Sequence, residues 1–143
     1  MAILTKEEIM EIIPHRDPFL LIDRVTDLQP GVHVQAQKDL TEEDFWFAGH
    51  FPGRPVQPGV LTIEMLAQAG AVCVLTLPQY RGKLAFFGGI DKARFKRQVV
   101  PGETLGLSVH MLKLRTRMGV GKAVATVGGE IAVTAQILFA IGD

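Results

Sequence analysis

Residues 59–76 form a helix candidate with no polar face. Apolar or small residues fill nearly every position, and Glu64 is the only charged side chain between Arg54 and Arg81. A helix that is apolar on most faces has to be enclosed by other structure, so the remainder of the chain must supply a surface that wraps it. The stretch 60–77 approaches the roughly 20 residues needed to cross a bilayer. It nevertheless contains Glu64 and Gln68, is rich in small residues, and has Pro58 and Pro78 at its ends. These features favour a buried helix of a soluble protein over a membrane span. Small residues at 67, 69, 70 and 71 leave room for a neighbour to approach the helix backbone.

Period-two alternation elsewhere supplies the wrapping surface. Branched residues over 19–28 predict a strand, and Val32 to Gln37 alternates as a second. After Pro78 the chain reads as β structure: 83–90, 93–99, 103–115, 121–127 and 131–141 are strand candidates, with turn signals at Met118-Gly119 and Gly128-Gly129. A short helix is expected over 6–13, with Thr5 as its cap and Pro14 as its stop. Segment 49–59 is constrained to a loop by Pro52, Pro55 and Pro58. One long buried helix with about six antiparallel strands predicts an α+β domain, with the sheet curled around the helix.

The 143 residues suit a single domain, 1–143, that buries roughly two thirds of its unfolded surface. Zero formal net charge gives no global electrostatic case for nucleic acid as a partner. One cysteine, Cys73, cannot close an internal disulfide, so the fold does not depend on an oxidising compartment. Glu7 and Glu8 stand where a targeting peptide would be poor in acids. A cytoplasmic location is expected.

Chemistry concentrates in 49–68. A carboxylate in apolar surroundings is costly to bury, so a solitary Glu64 points to a use. Gln68, four residues on, shares its helix face and is placed to orient the carboxylate. His50, in Gly49-His50-Phe51-Pro52-Gly53, supplies an imidazole in the neighbouring loop. Together they are the acid and the base of proton-transfer chemistry near neutral pH. Of the other histidines, His33 and His110 fall on the polar sides of strands, whereas His15 lies in a proline-bounded turn and rivals His50. The unpaired amides at Gly59 and Val60, at the helix start, can hold a carbonyl oxygen and the charge that grows on it. No phosphate loop, metal-ligand spacing or Gly-x-Ser-x-Gly elbow accompanies them.

Several segments in order resemble one family. They are Pro14-His15-Arg16-Asp17-Pro18-Phe19-Leu20-Leu21-Ile22-Asp23-Arg24-Val25, Gly49-His50-Phe51-Pro52-Gly53-Arg54-Pro55-Val56-Gln57-Pro58-Gly59-Val60-Leu61 and Glu64-Met65-Leu66-Ala67-Gln68-Ala69-Gly70, followed by Gly89 to Lys96 and Val100 to Glu103. The pattern is similar to that of the (3R)-hydroxyacyl-acyl-carrier-protein dehydratases of the FabZ type, and it spans nearly the whole chain. Asp17 departs from the familiar turn, which carries Tyr there.

The resemblance implies a hot-dog fold, with an antiparallel sheet of about six strands wrapped around a long central helix. It implies homodimers with a continuous sheet, assembled as trimers of dimers, and no metal or organic cofactor. It places His50 of one subunit beside Glu64 of the other, next to an apolar tunnel for the acyl chain. His50 would remove the C2 proton of a 3-hydroxyacyl thioester, the Gly59 amide would stabilise the thioester oxygen, and Glu64 would assist departure of the hydroxyl. Whether Glu64 or His50 delivers that proton stays open. Glu64, where the related FabA-type dehydratase/isomerases carry Asp, favours dehydration without isomerisation.

Val60, Phe51, Gln68, Phe86 and Phe87 join Gly59 as expected substrate-binding residues. Lys92, Arg94, Lys96 and Arg97 form the expected docking cluster for the acidic acyl carrier protein. The rivals are another hot-dog enzyme, such as a thioesterase or acyl-CoA hydratase, and a non-catalytic acyl-binding module.

Overall fold

The computed structural model describes residues 2–143. Its elements are α1 (Lys6–Met10), β1 (Arg24–Gln29), β2 (His33–Asp39), α2 (Gly59–Leu75), a 3-10 turn (Pro78–Tyr80), β3 (Leu84–Phe95), β4 (Thr104–Arg115), β5 (Met118–Val127) and β6 (Glu130–Gly142). The six strands form one sheet in the order β1-β2-β4-β5-β6-β3, antiparallel throughout. Helix α2 touches every strand. Leu105, Leu107 and Val109 of β4, Ala123 and Ala125 of β5, and Ile137, Phe139 and Ile141 of β6 turn inward and meet Met65, Leu66, Ala69, Val72 and Cys73 of the helix. This is the α+β arrangement that the strand alternation and the missing polar face predict.

The small residues of α2 serve one contact above all. A Cβ at Gly70 would lie 2.5 Å from Cζ of Phe139, and one at Gly121 would meet Val109 at 2.8 Å and Phe139 at 3.3 Å. The Phe139 ring therefore fills the space that both glycines vacate, which draws the helix down onto β5 and β6. Cys73 is buried in the same core, and burial pushes its thiol up to about 11, which suits a packing residue.

Four expectations about elements need correcting. The strand expected over 19–28 begins only at Arg24; within residues 19–23, Leu21 N–H and Phe19 O are both bonded to the Gln68 amide instead of a neighbouring strand. The helix expected over 6–13 ends at Met10, after a Thr5–Glu8 capping box, and turns carry the chain on. The two strands expected at 83–90 and 93–99 are one strand, β3, whose register slips between Phe87 and Gly89 and between Asp91 and Arg94. These bulges break the alternation, and Lys92 within the second takes a left-handed backbone with φ 54. Met118 and Gly119 lie within β5, so the preceding turn is at 116–117; the Gly128-Gly129 turn is as expected, with φ 57 and 85.

One side of α2 is left open. Val60, Glu64 and Ala67, spaced four and three residues apart, are the only positions along that stretch besides Leu61 that are not buried. This strip lies beside β3, an edge strand with exposed Phe86, Phe87 and Ile90.

Candidate functional site

Loop 49–58 is folded by its own backbone. His50 N–H donates to Phe47 O, Val56 N–H to His50 O at 2.8 Å, and Phe51 and Arg54 exchange bonds in both directions. Two further anchors hold its end against the core. Gln57 N–H donates to Val99 O at 2.8 Å, while the buried Gln57 side chain accepts from Trp46 Nε1–H at 2.8 Å and donates to Thr62 Oγ1 at 3.3 Å. The prolines thus restrict a loop that hydrogen bonds then hold in one shape.

That shape sets the state of His50. Its Nδ1 lies 2.7 Å from Val56 O. A carbonyl only accepts, so Nδ1 carries a hydrogen, and in the neutral tautomer this fixes, Nε2 is the nitrogen with the lone pair. The Phe51 ring stacks on the imidazole at 4.1 Å between centroids, tilted by 25°. His50 lines a cavity of about 550 Å³ together with Gly59, Val60, Phe95, Lys96 and Arg97. Pro58 caps α2 without a side-chain bond, so the amides of the first turn have no side-chain acceptor. A Cβ at Gly59 would sit 2.4 Å from the Phe95 ring; only glycine lets that ring lie against the helix start.

Glu64 lies elsewhere. It lines a second cavity, of about 200 Å³, with Gln68, Phe86, Phe87 and His15. Gln68 Nε2–H donates to Glu64 Oε2 at 2.9 Å. The imidazole nearest the carboxylate is His15, whose Nε2 is 3.9 Å from Oε2. Burial pulls the His15 imidazole below its ordinary value, against the opposing pull of Glu64. The His15 turn is followed in sequence by β1, but in space it lies against α2 beside Glu64. The other two histidines stack on each other between β2 and β4, with centroids 4.7 Å apart.

The expected site residues thus fall into three groups. His50, Gly59 and Val60 share one cavity, with Phe51 on the imidazole. Glu64, Gln68, Phe86 and Phe87 share the other. Of the basic residues, Lys96 and Arg97 border the His50 cavity, Lys92 lines a hollow beside Lys122, and Arg94 is exposed with Nη1–H on Ala93 O at 2.9 Å. Arg97 is already engaged, with Glu103 in a bidentate pair at 2.8 and 3.1 Å and with Glu130 at 3.0 Å. Sequence reasoning missed Val56, which acts through a backbone carbonyl and so carries no residue signature. It also missed Phe95, which looked like one more strand residue. Asp17, at the departing position, is exposed and bonds Lys6 at 2.9 Å.

A six-stranded antiparallel sheet around one long helix, with an imidazole loop at the helix start and a carboxylate on its second turn, defines a hot-dog fold. The chain belongs to the FabA-like family, whose domain model matches residues 13–136. It is 52% identical over 136 residues, covering 95% of this chain and 96% of the relative, to the 3-hydroxyacyl-[acyl-carrier-protein] dehydratase FabZ of Clostridium novyi (strain NT). It is 54% identical over 139 residues to the FabZ of Enterococcus faecalis (strain ATCC 700802 / V583), covering 97% and 99% of the two chains. Among solved structures, the dehydratase heterocomplex ApeI:P from Xenorhabdus doucetiae superposes with a TM-score of 0.82 at 20% identity over 94% of this chain and 91% of that one. A mutant thioesterase from Pseudomonas aeruginosa gives 0.61 at 14% identity, covering 85% and 81%. At these identities the two structures speak to the fold alone.

Proposed function

We propose that this protein dehydrates (3R)-hydroxyacyl groups carried as thioesters on acyl carrier protein, giving trans-2-enoyl thioesters for fatty acid synthesis. The observation that carries this reading is that His50, its Nδ1 held by Val56 O, lines the same cavity as Gly59 and Val60 at the α2 start. A base and an oxyanion donor in one apolar cavity are what removal of a C2 proton requires, because that proton is acidic only while charge on the thioester oxygen is stabilised. Identity above 50% to curated FabZ dehydratases supports the same substrate class.

The acid comes from a second copy. Within one chain, His50 and Glu64 line different cavities, and the open strip Val60–Glu64–Ala67 lies beside an edge strand with exposed aromatics. Pairing of β3 edges in a homodimer would cover both and set the partner subunit's Glu64 against His50. His50 takes the C2 proton, the Gly59 amide holds the thioester oxygen, and Glu64 protonates the hydroxyl as it leaves as water. Phe86 and Phe87 then line the acyl tunnel. Dimers grouped in threes are the expected assembly.

The test is incubation with a 3-hydroxyacyl carrier thioester while enoyl absorbance and free thiol are followed together. Enoyl product without thiol supports dehydration, and thiol release assigns a thioesterase. Tight binding with no turnover assigns an acyl-binding module. His50→Ala and Glu64→Ala should each lower turnover by at least about a hundredfold while the thermal midpoint stays near that of the wild type. Near-normal turnover in either variant removes that residue from the scheme.

A further inference from the structure

We propose that Gln57 is a positioning residue for the reaction, setting the spacing between the His50 imidazole and the Gly59 amide. This rests on the dehydratase reading, and it adds a residue to which that reading gives no part.

Gln57 stands where the two halves of that site meet in the chain. Val56 O holds His50 Nδ1 at 2.7 Å, and Gly59 opens α2. Only Gln57 and Pro58 separate them. Pro58 has no N–H to give, so the donors that tie this junction to its surroundings come from Gln57. Its bonds reach three different parts of the molecule. The backbone N–H donates to Val99 O at 2.8 Å. The side-chain Oε1 accepts from Trp46 Nε1–H at 2.8 Å. The side-chain Nε2–H donates at 3.3 Å to Oγ1 of Thr62, in the first turn of α2.

The amide can sit only one way round. An indole N–H only donates, so the amide oxygen must face Trp46 and the nitrogen must face Thr62. The same nitrogen has Met65 Sδ at 3.9 Å as a weaker second contact. Trp46, Gln57 and Thr62 are 9%, 5% and 1% exposed, so solvent does not replace a bond lost among them. A buried amide is costly unless its bonds are made. Among the described residues, the buried polar side chains are Gln57, Thr62 and Gln68. Gln68 aims Glu64 in one cavity. The other two are bonded to each other and line the cavity of His50 and Gly59.

What this arrangement controls is a distance. A base and an oxyanion donor assist the same proton transfer only while both reach one thioester. Without the Trp46 and Thr62 bonds, residue 57 could pivot on its single backbone bond to Val99 O, and Val56 O and Gly59 would move relative to each other. A misplacement of about 1 Å can cost about a hundredfold in rate, and a partial loosening of this junction is expected to cost about tenfold.

The experiment measures kcat and KM of wild type, Gln57→Met, Trp46→Phe and the double variant with a small 3-hydroxyacyl thioester, beside urea unfolding of each. Met keeps the length of the side chain and Phe keeps a ring, and each removes the bond. The expected result is that kcat of Gln57→Met falls about tenfold with KM little changed. The double variant should lose no more than Gln57→Met alone, because Trp46 acts through Gln57 and removing both partners strands neither. Wild-type kcat in Gln57→Met, with or without a lower unfolding midpoint, overturns the proposal, as do losses that multiply in the double variant. If the variants fail to fold, the native protein decides. Trp46 is the only tryptophan and does not line the His50 cavity, so its indole N–H gives a single NMR signal that reports on the cavity through Gln57. The probe is the butanoyl thioester of N-acetylcysteamine, which has no 3-hydroxyl to lose. The indole signal should shift as the Gly59 amide signal shifts to saturation, and an indole signal that stays in place overturns the proposal. A Gly59 amide that never moves overturns it as well, since the donor that Gln57 is to position then takes no part. Absence of enoyl product from the wild type would instead sink the dehydratase reading, while the indole signal would still judge the tie between Trp46 and the cavity.

Discussion

Gln68 meets Glu64 with an amide that has no freedom to turn. Its Oε1 accepts from Leu21 N–H at 2.8 Å and its Nε2 donates to Phe19 O at 2.9 Å, so the remaining N–H must point at Glu64 Oε2, 2.9 Å away. Reversing the amide would set oxygen against a carbonyl and a carboxylate. The backbone of Phe19 and Leu21 thereby orients a carboxylate on a helix far along the chain, and leaves Glu64 Oε1 free of any bond to Gln68.

Gln68→Leu is expected to lower kcat more than it raises KM. An intramolecular hydrogen bond is worth about 0.5–1.5 kcal/mol, roughly two- to tenfold in rate. The Leu21 amide also loses its acceptor, so the urea midpoint should fall as well. Steady-state kinetics beside equilibrium unfolding check both. Unchanged kcat would deny Gln68 any part in aiming Glu64.

The helix and most strands were legible because their cause is local. A segment with one charge in 26 residues between Arg54 and Arg81 announces burial, and alternation announces a half-buried sheet. The Glu64–Gln68 bond was legible too, since four residues on a helix guarantee adjacency. What escaped depends on chain crossings. Nothing within residues 14–18 says that His15 will face Glu64, and nothing about Val56 marks its carbonyl as the holder of His50. Strand β3 was divided in two because its bulges shift the facing of Gly88 and Lys92, and period-two reading has no means to skip a residue.

Gly70→Ala tests how tightly the sheet wraps the helix. The new methyl would meet the Phe139 ring at 2.5 to 3.3 Å, and neither the helix backbone nor a fully buried ring can yield cheaply. Overpacking of this kind costs about 1–3 kcal/mol, read as a lower denaturant midpoint at unchanged slope. Gly70→Ala combined with Phe139→Leu should cost less than the two single changes added together. Strict additivity would mean that the contact is loose.

Asp39 makes acid stability partly a matter of one pair. Its carboxylate is held by Arg24 at 2.8 and 3.0 Å and by Thr104 at 2.8 Å, and the Arg24 bond, first among the causes, draws it from 3.8 down to about 2. A carboxylate depressed in the folded state contributes stability that is complete above the unfolded value and is lost as pH falls through the folded one. Asp39→Asn should thus be less stable than wild type at pH 6, with the difference closing between about pH 4 and pH 2. Chemical unfolding at stepped pH checks this. A difference that persists unchanged to pH 2 would mean that the charge on Asp39 is not what stabilises.

The basic residues near the His50 cavity should separate by what already holds them. Lys96 is exposed at the cavity rim with no ion-pair partner among the described residues, whereas Arg97 is committed to Glu103 and Glu130. An acidic carrier protein would find the free charges of Lys96 and Arg94, and exposed complementary charges act mainly on encounter. Lys96→Glu and Arg94→Glu should therefore raise KM for a carrier-bound substrate several-fold or more, increasingly so at low salt, and leave KM for a small thioester surrogate nearly unchanged. Arg97→Ala should instead lower the unfolding midpoint, because it releases the Glu103 and Glu130 carboxylates that tie residue 97 to the start of β4 and to β6. Equal KM effects on both substrates would place Lys96 and Arg94 outside the carrier's path.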